Sequence, residues 1–281
     1  MCIPFTDCVA VLSGTLSRGN NRLNQLMAQK SALRETAQAR YPARFRARLA
    51  SCAGDIDAAQ ALRARVFRAD RGNAPDADRF DDLCRHMLIE RALDGALVAT
   101  FRLFSLASGA EIGRSYSAQY YALEALDNYA APMMELGRFC VVPELSDPDV
   151  LRMAWGALAR VVDEDSVEML FGCSSFQGTE VCNYSDAFAM LRDRHLAPRR
   201  WRPRVKAPDV FRFARALRSV PDRAKALKTM PPLLRSYLTM GGWVSDHAVV
   251  DRDLNTLHVF TGLEISAIPP ARARAIRAAA G

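Results

Sequence analysis

The sequence predicts an α/β fold in which a mixed β-sheet is flanked by helices and followed by a carboxy-terminal α+β extension. Runs with strand-like alternation and runs with helix-like apolar spacing follow one another along residues 43–198. The short apolar run VEMLFGCSS, which comes after a helical segment, is typical of a buried parallel strand. Together these observations indicate a mixed sheet with crossover helices.

The predicted core, residues 43–198, opens with the strand RFRARLA and a helix in DIDAAQALRARVFRAD, for which Asp55 is the predicted N-cap. The apolar face of this helix is predicted to carry Ile56, Ala59, Leu62, Val66 and Phe67. The turn signal Asp94-Gly95 then joins the strands HMLIERA and ALVATFRLF in a hairpin. The strand MELGRFCVV, a helix with Pro148 in its first turn, the strand VEMLFGCSS and a helix in NYSDAFAMLRDRH follow.

Two further regions flank this core. Residues 1–42 are polar, and we expect a mobile or helical extension there. Residues 199–281 form a predicted carboxy-terminal module that completes the sheet and the substrate site, and it opens with a basic, proline-punctuated surface loop. The helix PPLLRSYLTM, closed by Gly241-Gly242, follows, and then the strands WVSDHAVVD and TLHVFTGLEI and a basic helix from Pro270.

Composition excludes several classes of protein. The chain has 281 residues, 50% of them hydrophobic, and a net charge of +7. No run reaches the roughly 18 apolar residues that a membrane span needs, and no basic segment precedes the apolar amino-terminal patch as in a secretory signal. We therefore expect a cytoplasmic protein. The seven cysteines form no C-x-x-C pair, and no histidine stands at zinc-ligand spacing, which indicates free thiols and no metal.

The positive charge suits an acidic partner, which could be nucleic acid, anionic lipid or an acidic carrier protein. Neither a recognition-helix motif nor a stacking-aromatic motif accompanies the basic runs, so we expect no nucleic-acid partner.

Four segments carry a resemblance to a known group of enzymes. LRARVF, DRFD, FRLF and ELGRFCV occur in the order found in the acyl-homoserine-lactone synthases, which have the GNAT-type N-acyltransferase fold. The aromatic residue that those synthases carry after the VF helix is missing from RADRGNAPD, so S-adenosylmethionine is not the expected acceptor.

A closer resemblance covers nearly everything after residue 44. ELGRFCV, LRMAWGALARVVDEDSVEMLFGCSSF and PPLLRSYLTMGGWV with the following D-x-D-L-N-T resemble the ornithine acyl-carrier-protein N-acyltransferases, a family also labelled hemolysin-like. The resemblance implies a GNAT-like sheet. It also implies transfer of a (3-hydroxy) fatty acyl group from acyl carrier protein to the α-amino group of L-ornithine, which gives lyso-ornithine lipid. No cofactor is implied, because the donor's phosphopantetheine arm is part of the substrate.

Glu135 and Arg138, in ELGRFCV, are the predicted catalytic residues. An α-amine is mostly protonated at neutral pH, so its attack on a thioester needs a base. Burial on a strand would raise the pKa of Glu135 toward neutrality and suit it to that task. The alternative is that Glu135 only pairs with Arg138. Direct attack needs no cysteine nucleophile, so Cys140 and Cys173 are predicted to be core residues.

Charged and aromatic residues near the first helix are predicted to bind the acceptor. An arginine would clamp the carboxylate of ornithine and aspartates would hold its distal ammonium group. The alternative is an ion-pair network that ties the first helix and its following loop to the sheet. Ser174 and Ser175 in GCSSF are candidates for the pantetheine arm, or an ordinary strand end. The predicted substrate-binding set is Arg63, Phe67, Asp78, Asp81, Arg102, Ser174 and Ser175.

The donor is expected to be an acyl carrier protein rather than coenzyme A. GNAT enzymes that use coenzyme A hold its pyrophosphate in a glycine-rich turn, and the segment PELSDPDVLRMAWG has no such pattern at that position. An acidic carrier protein suits the basic loop, although a solvated loop explains the same residues. The predicted docking residues are Arg199, Arg200, Arg202, Arg204 and Lys206.

Other functions fit parts of the sequence. An acyl-homoserine-lactone synthase, or another amino-acid N-acyltransferase, is the nearest alternative. A basic protein that binds anionic membrane without catalysis is the alternative from another class. Peripheral contact of the enzyme with anionic membrane is also expected, through the leucines of PPLLRSYLTM and the terminal residues Arg272, Arg274 and Arg277. The alternative is that the leucines are buried in the core and the terminal arginines are solvated.

Overall fold

A mixed β-sheet forms the centre of the fold. The computed structural model describes residues 44–69, 74–145 and 147–278, and the extension predicted for residues 1–42 lies outside them. The strands are β1 (Phe45–Leu49), β2 (Arg85–Arg91), β3 (Leu97–Leu106), β4 (Tyr121–Ala122), β5 (Met133–Val141), β6 (Met169–Gln177), β7 (Arg204–Val205), β8 (Val210–Phe211), β9 (Trp243–Val244), β10 (Ala248–Asp251) and β11 (Thr256–Glu264). Within the described residues, nine strands form one sheet in the order β1-β2-β3-β5-β6-β11-β10-β8, with β9 beside β11, while β4 pairs separately with β7.

Antiparallel pairs build most of this sheet. β2 and β3 form the predicted hairpin, and Gly95 in its turn has a φ of +72°, a conformation that glycine adopts without strain. β11 runs antiparallel to β6 along nine residue pairs, from Thr256 opposite Gln177 to Glu264 opposite Met169. The carboxy-terminal strands therefore extend the central sheet, and the chain from Phe45 onward forms one compact unit.

The parallel pair β5 and β6 separates in the middle of the sheet. Its pairing stops at Glu135 opposite Phe171, although both strands continue. A Cβ atom at Gly172 would lie 2.3 Å from the carbonyl oxygen of Leu136, so only glycine fits where the strands begin to part. Beyond this point β5 has a bulge against β3, with Arg138 at a φ of +52°. Bulges bend a strand and redirect its side chains, which here opens a cleft between β5 and β6.

Helices cover the sheet on both faces. They are α1 (Ala53–Phe67), α2 (Pro148–Glu164), α3 (Ser185–Arg194), α4 (Phe213–Ala216), α5 (Arg223–Thr229), α6 (Pro232–Thr239) and α7 (Pro270–Ala278). α2 starts as predicted with Pro148 in its first turn, and its apolar face belongs to the same buried core as Phe101 and Leu103 of β3. Successive strand residues point to opposite faces, so Arg102 points to the other face, where α1 carries Arg63.

The predicted elements from residue 44 onward are confirmed, with three differences. Cys52, not Asp55, is the N-cap of α1, because Asp55 lies in the first turn and is held by Arg48. The strand predicted from WVSDHAVVD is split into β9 and β10. The sequence pattern also predicted none of the two-residue strands β4, β7 and β8, the 3₁₀ turns between β3 and β5 or the short helices α4 and α5. One of those turns, Ser117–Gln119, contributes to the candidate site.

Candidate active site

A cavity of about 190 Å³ opens where β5 and β6 diverge. One part of its wall is apolar and is formed by Leu136, Phe139, Leu233 and Leu254, with Phe67 from the end of α1. The other part is polar, and its members come from β3, β5, β6, the β10–β11 hairpin and the loop after β3. They are Arg102, Tyr116, Glu135, Arg138, Cys173, Ser174, Ser175, Asp251, Thr256 and His258.

Glu135 lies on the cavity wall and is almost completely buried. Its carboxylate accepts hydrogen bonds from the Tyr116 N–H at 2.7 Å, the Ser117 N–H at 2.7 Å and the Ser117 Oγ at 2.5 Å. Burial raises the pKa of Glu135 above its ordinary value, and the hydrogen bonds from Ser117 and Tyr116 oppose that shift. This environment is the one that the sequence predicted for a general base, and the catalytic role itself stays a prediction.

Glu135 and Arg138 do not form the ion pair that was the alternative to a catalytic role. Arg138 donates from Nε to Asp76 at 3.0 Å and from Nη2 to Asp78 at 3.3 Å. Its Nη1 donates to the Tyr116 hydroxyl at 3.2 Å, and its guanidinium lies 5.0 Å from the centre of the Tyr116 ring. The bulge of β5 therefore directs Glu135 and Arg138 to different partners on one cavity wall.

A buried ion-pair network supports the arginines of the cavity. Arg63, fully buried, donates to both carboxylate oxygens of Asp81 at 2.7 and 2.8 Å and to Asp76 at 3.1 Å. Arg102 donates to Asp78 at 2.6 Å and to Asp81 at 2.9 Å. Burial alone would raise the pKa of Asp81, but Arg63 and Arg102 hold that pKa below its ordinary value. All three aspartates are thus engaged by guanidinium groups.

This arrangement separates the members of the predicted acceptor site into two groups. Asp78 and Asp81 were predicted to hold the distal ammonium of ornithine, but their oxygens are bonded to arginines and neither residue lines the cavity. Arg63 belongs to the same network and is also outside the cavity lining, so the structure favours the ion-pair alternative for these three residues. Arg102 does reach the cavity, as does Phe67.

The β6 side of the cavity carries the predicted serines and an additional thiol. Ser174 and Ser175 line the cavity, and Ser174 accepts a hydrogen bond from the Thr261 hydroxyl at 2.9 Å. Cys140 is a buried residue as predicted, whereas Cys173 was predicted to be core and instead lines the cavity. Burial raises the pKa of the Cys140 thiol to about 12 and that of the Cys173 thiol further. Neither thiol is therefore suited to act as a nucleophile.

The β10–β11 hairpin supplies a third wall that the sequence did not single out residue by residue. Asp251, Thr256 and His258 line the cavity from this hairpin, and all are at least nine-tenths buried. Burial, together with the charges of His247 and Arg138, lowers the pKa of His258 to about 3, so its ring is neutral. Asp251 and Thr256 belong to the D-x-D-L-N-T pattern, which occurs in the resemblance to the ornithine N-acyltransferases and not in that to the acyl-homoserine-lactone synthases.

The predicted docking residues gather around a separate surface depression of about 750 Å³. Arg199, Arg202 and Arg204 line it, together with Arg212 and Arg215, which the sequence did not single out. Arg200 and Lys206 lie outside its lining: Arg200 pairs with Glu264 and Lys206 donates to the Ala118 carbonyl. The depression is basic, with Glu124 and Asp246 as its acidic members.

The fold also shows where the leucine cluster of PPLLRSYLTM lies and which helices are apolar. The leucine cluster of PPLLRSYLTM does not face outward, because Leu234 and Tyr237 are buried in the core of the protein. Among the described residues, no helix is long and apolar enough to cross a membrane, and no group of side chains could hold a metal ion.

Known proteins resemble this chain in sequence and in fold. Residues 62–156 match the model of the acetyltransferase (GNAT) domain. The chain is 36% identical to the L-ornithine Nα-acyltransferase of Rhodobacter capsulatus, over 81% of this chain and 92% of that protein. It is 31% identical to the L-ornithine Nα-acyltransferase of Rhizobium meliloti, over 80% of this chain and 82% of that protein. The solved structure of FeeM, an N-acyl amino acid synthase from uncultured soil microbes, is 12% identical with a TM-score of 0.45, over 79% of this chain and 92% of that one.

Proposed function

We propose, from the premise that this chain belongs to the L-ornithine Nα-acyltransferase family, that it transfers a 3-hydroxy fatty acyl group from acyl carrier protein to the α-amino group of L-ornithine. The observation that carries the proposal is the cavity between β5 and β6. It places a buried carboxylate, Glu135, beside two arginines and an apolar wall. The product is lyso-ornithine lipid, an amide with one long chain.

The polar wall suits the acceptor and the base. Arg138 uses one N–H of each of its three nitrogens in the bonds to Asp76, Asp78 and Tyr116, which leaves two of its five N–H groups for the α-carboxylate of the amino acid. Arg102 has an Nε–H without a partner among the described residues. Arg138 and Glu135 line the same cavity, so a carboxylate bound at Arg138 brings the α-amine into the cavity that Glu135 faces. Such positioning converts the encounter with the thioester into a reaction between neighbours.

The chemical step then needs one proton transfer to the base and one to the leaving group. Glu135 removes a proton from the α-ammonium group, and the free amine attacks the thioester carbonyl carbon. The new C–N bond forms and the C–S bond breaks, so that the electron pair of that bond leaves with the sulfur. The second proton of the nitrogen is lost as the amide forms, and the pantetheine thiol takes up a proton. No covalent acyl-enzyme is required.

The apolar wall suits the donor. Leu136, Phe139 and Leu233 provide a surface for the first carbons of the fatty acyl chain. The connection between β5 and α2 has no glycine-rich turn for a pyrophosphate, and a carrier protein's pantetheine arm carries a single phosphate.

Peripheral contact with anionic membrane remains a prediction, and it now depends on the exposed arginines of α7 alone.

Acyl carrier protein is expected to be a much better donor than the matching acyl-coenzyme A. If the basic depression is its docking surface, Arg204→Glu combined with Arg212→Glu should raise the KM for acyl carrier protein about tenfold and leave kcat nearly unchanged. The wild-type KM should rise with salt, because exposed charges are screened. Steady-state kinetics with both donors, at low and high salt, measure these KM and kcat values. Arg160→Glu, an exposed arginine of α2 away from the depression, is the matched control. Equal efficiency with both donors would refute the choice of donor.

The acceptor is tested by mass spectrometry of the products formed from 3-hydroxyacyl carrier protein and a panel of amino acids. The proposal predicts that N-acylornithine dominates. A lactone formed from S-adenosylmethionine would instead favour the homoserine-lactone synthase alternative.

A further inference from the structure

Three buried polar groups on the β10–β11 hairpin line the cavity without a hydrogen-bond partner among the described residues. They are Asp251 Oδ2, Thr256 Oγ1 and His258 Nε2. The three residues are only 5%, 9% and 2% exposed. Polar groups buried this deeply are almost always hydrogen-bonded, so their position on a cavity wall indicates a polar ligand.

The three groups are held on one face of the sheet. Asp251 and Thr256 are paired across the hairpin, and Thr256 and His258 are two positions apart on β11. The turn is fixed because Asp251 Oδ1 accepts a hydrogen bond from the Leu254 N–H at 3.0 Å, which leaves Oδ2 as the unpartnered oxygen. A ligand therefore meets a carboxylate that is already oriented.

His258 presents an acceptor to the cavity. The Tyr121 hydroxyl donates its proton to the His258 carbonyl oxygen at 2.8 Å and lies 3.1 Å from His258 Nδ1. Because that hydroxyl has a single proton, Nδ1 is assigned as the protonated nitrogen that donates to the Tyr121 oxygen. In the neutral ring, Nε2 then carries the lone pair. The hairpin wall thus offers one negative charge and several acceptors, and the ligand that matches this set is an ammonium group with its N–H donors.

We propose that Asp251, with Thr256 and His258, binds the distal ammonium group of ornithine. This assignment rests on the proposed function and deepens it. The α-carboxylate and the reacting amine are both bonded to the α-carbon, so Arg138 and Glu135 hold them on the β5 wall. The distal ammonium is three methylene groups away from the α-carbon, so an extended ornithine directs it away from the β5 wall and toward the hairpin wall, which carries Asp251 Oδ2. Asp251 therefore takes the role that the sequence predicted for Asp78 and Asp81.

The test compares ornithine with norvaline, which has the same side chain without the distal amine. Asp251→Asn retains an oxygen to accept from Leu254 but removes the charge. We expect kcat/KM for ornithine to fall about 10- to 100-fold, mostly through KM, while the low kcat/KM for norvaline stays unchanged. Thr256→Val, which keeps the side-chain shape, should lower the preference for ornithine by a smaller factor. Asp253→Asn, in the same hairpin but outside the cavity lining, is the control and should behave as wild type.

The outcomes separate this inference from the function on which it rests. A wild-type enzyme that acylates ornithine, combined with a parallel loss for both substrates in Asp251→Asn, would show a purely structural role and overturn the subsite. Unchanged ornithine kinetics in both Asp251→Asn and Thr256→Val would overturn it as well. A wild-type enzyme that does not acylate ornithine would refute the proposed function itself, and the subsite with it.

Discussion

Glu135→Gln is expected to lower kcat by about a hundred- to ten-thousandfold, the usual contribution of a general base. The substitution keeps the size of the side chain but removes the group that takes the proton from the α-ammonium. The glutamine oxygen can still accept from Ser117, so a cooperative unfolding transition should be retained. Steady-state rates with acyl carrier protein and ornithine, together with circular dichroism, measure both effects.

The pH dependence of the same reaction gives a second readout of Glu135. Burial raises its pKa above the ordinary 4.5, and only the ionised form can act as base. The activity should therefore fall as the pH drops through this raised pKa, and this acid limb should disappear in Glu135→Gln. Ser117→Ala removes a hydrogen bond that favours the ionised form, so its acid limb should move to higher pH. Near-normal activity of Glu135→Gln at neutral pH would show that another group accepts the proton.

Arg63→Met is expected to destabilise the protein by about 3–5 kcal/mol. Arg63 is fully buried, and its removal leaves the carboxylates of Asp76 and Asp81 with one cation fewer in a dry environment. Urea unfolding followed by circular dichroism measures the difference. Arg65→Met, on the same helix, is the control: Arg65 is 55% exposed and pairs with an exposed Glu144, so its loss should change stability by less than about 1 kcal/mol.

The effect of pH on Arg63→Met follows from the pKa of Asp81. In the wild type, the ion pairs hold this pKa below its ordinary value, so they contribute stability above the ordinary pKa, and this contribution is lost as the pH falls through the lowered one. In the variant, the pKa of Asp81 rises and the carboxyl group protonates more readily. The difference in the free energy of unfolding between variant and wild type should therefore become smaller as the pH falls. A loss no larger than that of Arg65→Met would contradict the supporting role of the network.

The elements of the GNAT-type fold were predictable where the local pattern is long and regular. α2 shows this, because its apolar spacing extends over several turns and begins at Pro148. The short helices α4 and α5 and the 3₁₀ turns after β3 were not predictable, since a helix of one or two turns has too few residues to show a period. Their positions depend on tertiary packing.

The candidate site was predictable except for its hairpin wall and the partners of its aspartates. ELGRFCV placed Glu135 and Arg138 in the site, and both lie on the cavity wall. The sequence could not show that Asp78 and Asp81 are occupied by arginines, because those partners come from distant parts of the chain. Asp251 is the last residue of β10, next to the hairpin turn, where aspartate is common for local reasons. It reaches the cavity because β11 pairs with β6, a contact that no local pattern contains.

The position of the acyl group on ornithine tests the central claim most directly. The measurement is tandem mass spectrometry of the product formed from 3-hydroxyacyl carrier protein and ornithine that carries a heavy nitrogen isotope only at the α-amino group. The arrangement of Glu135 and Arg138 on one wall and Asp251 on another predicts that the heavy nitrogen is found in the amide and the ordinary nitrogen in the free amine. A product with the heavy nitrogen in the free amine, or no N-acylornithine at all, would contradict the account.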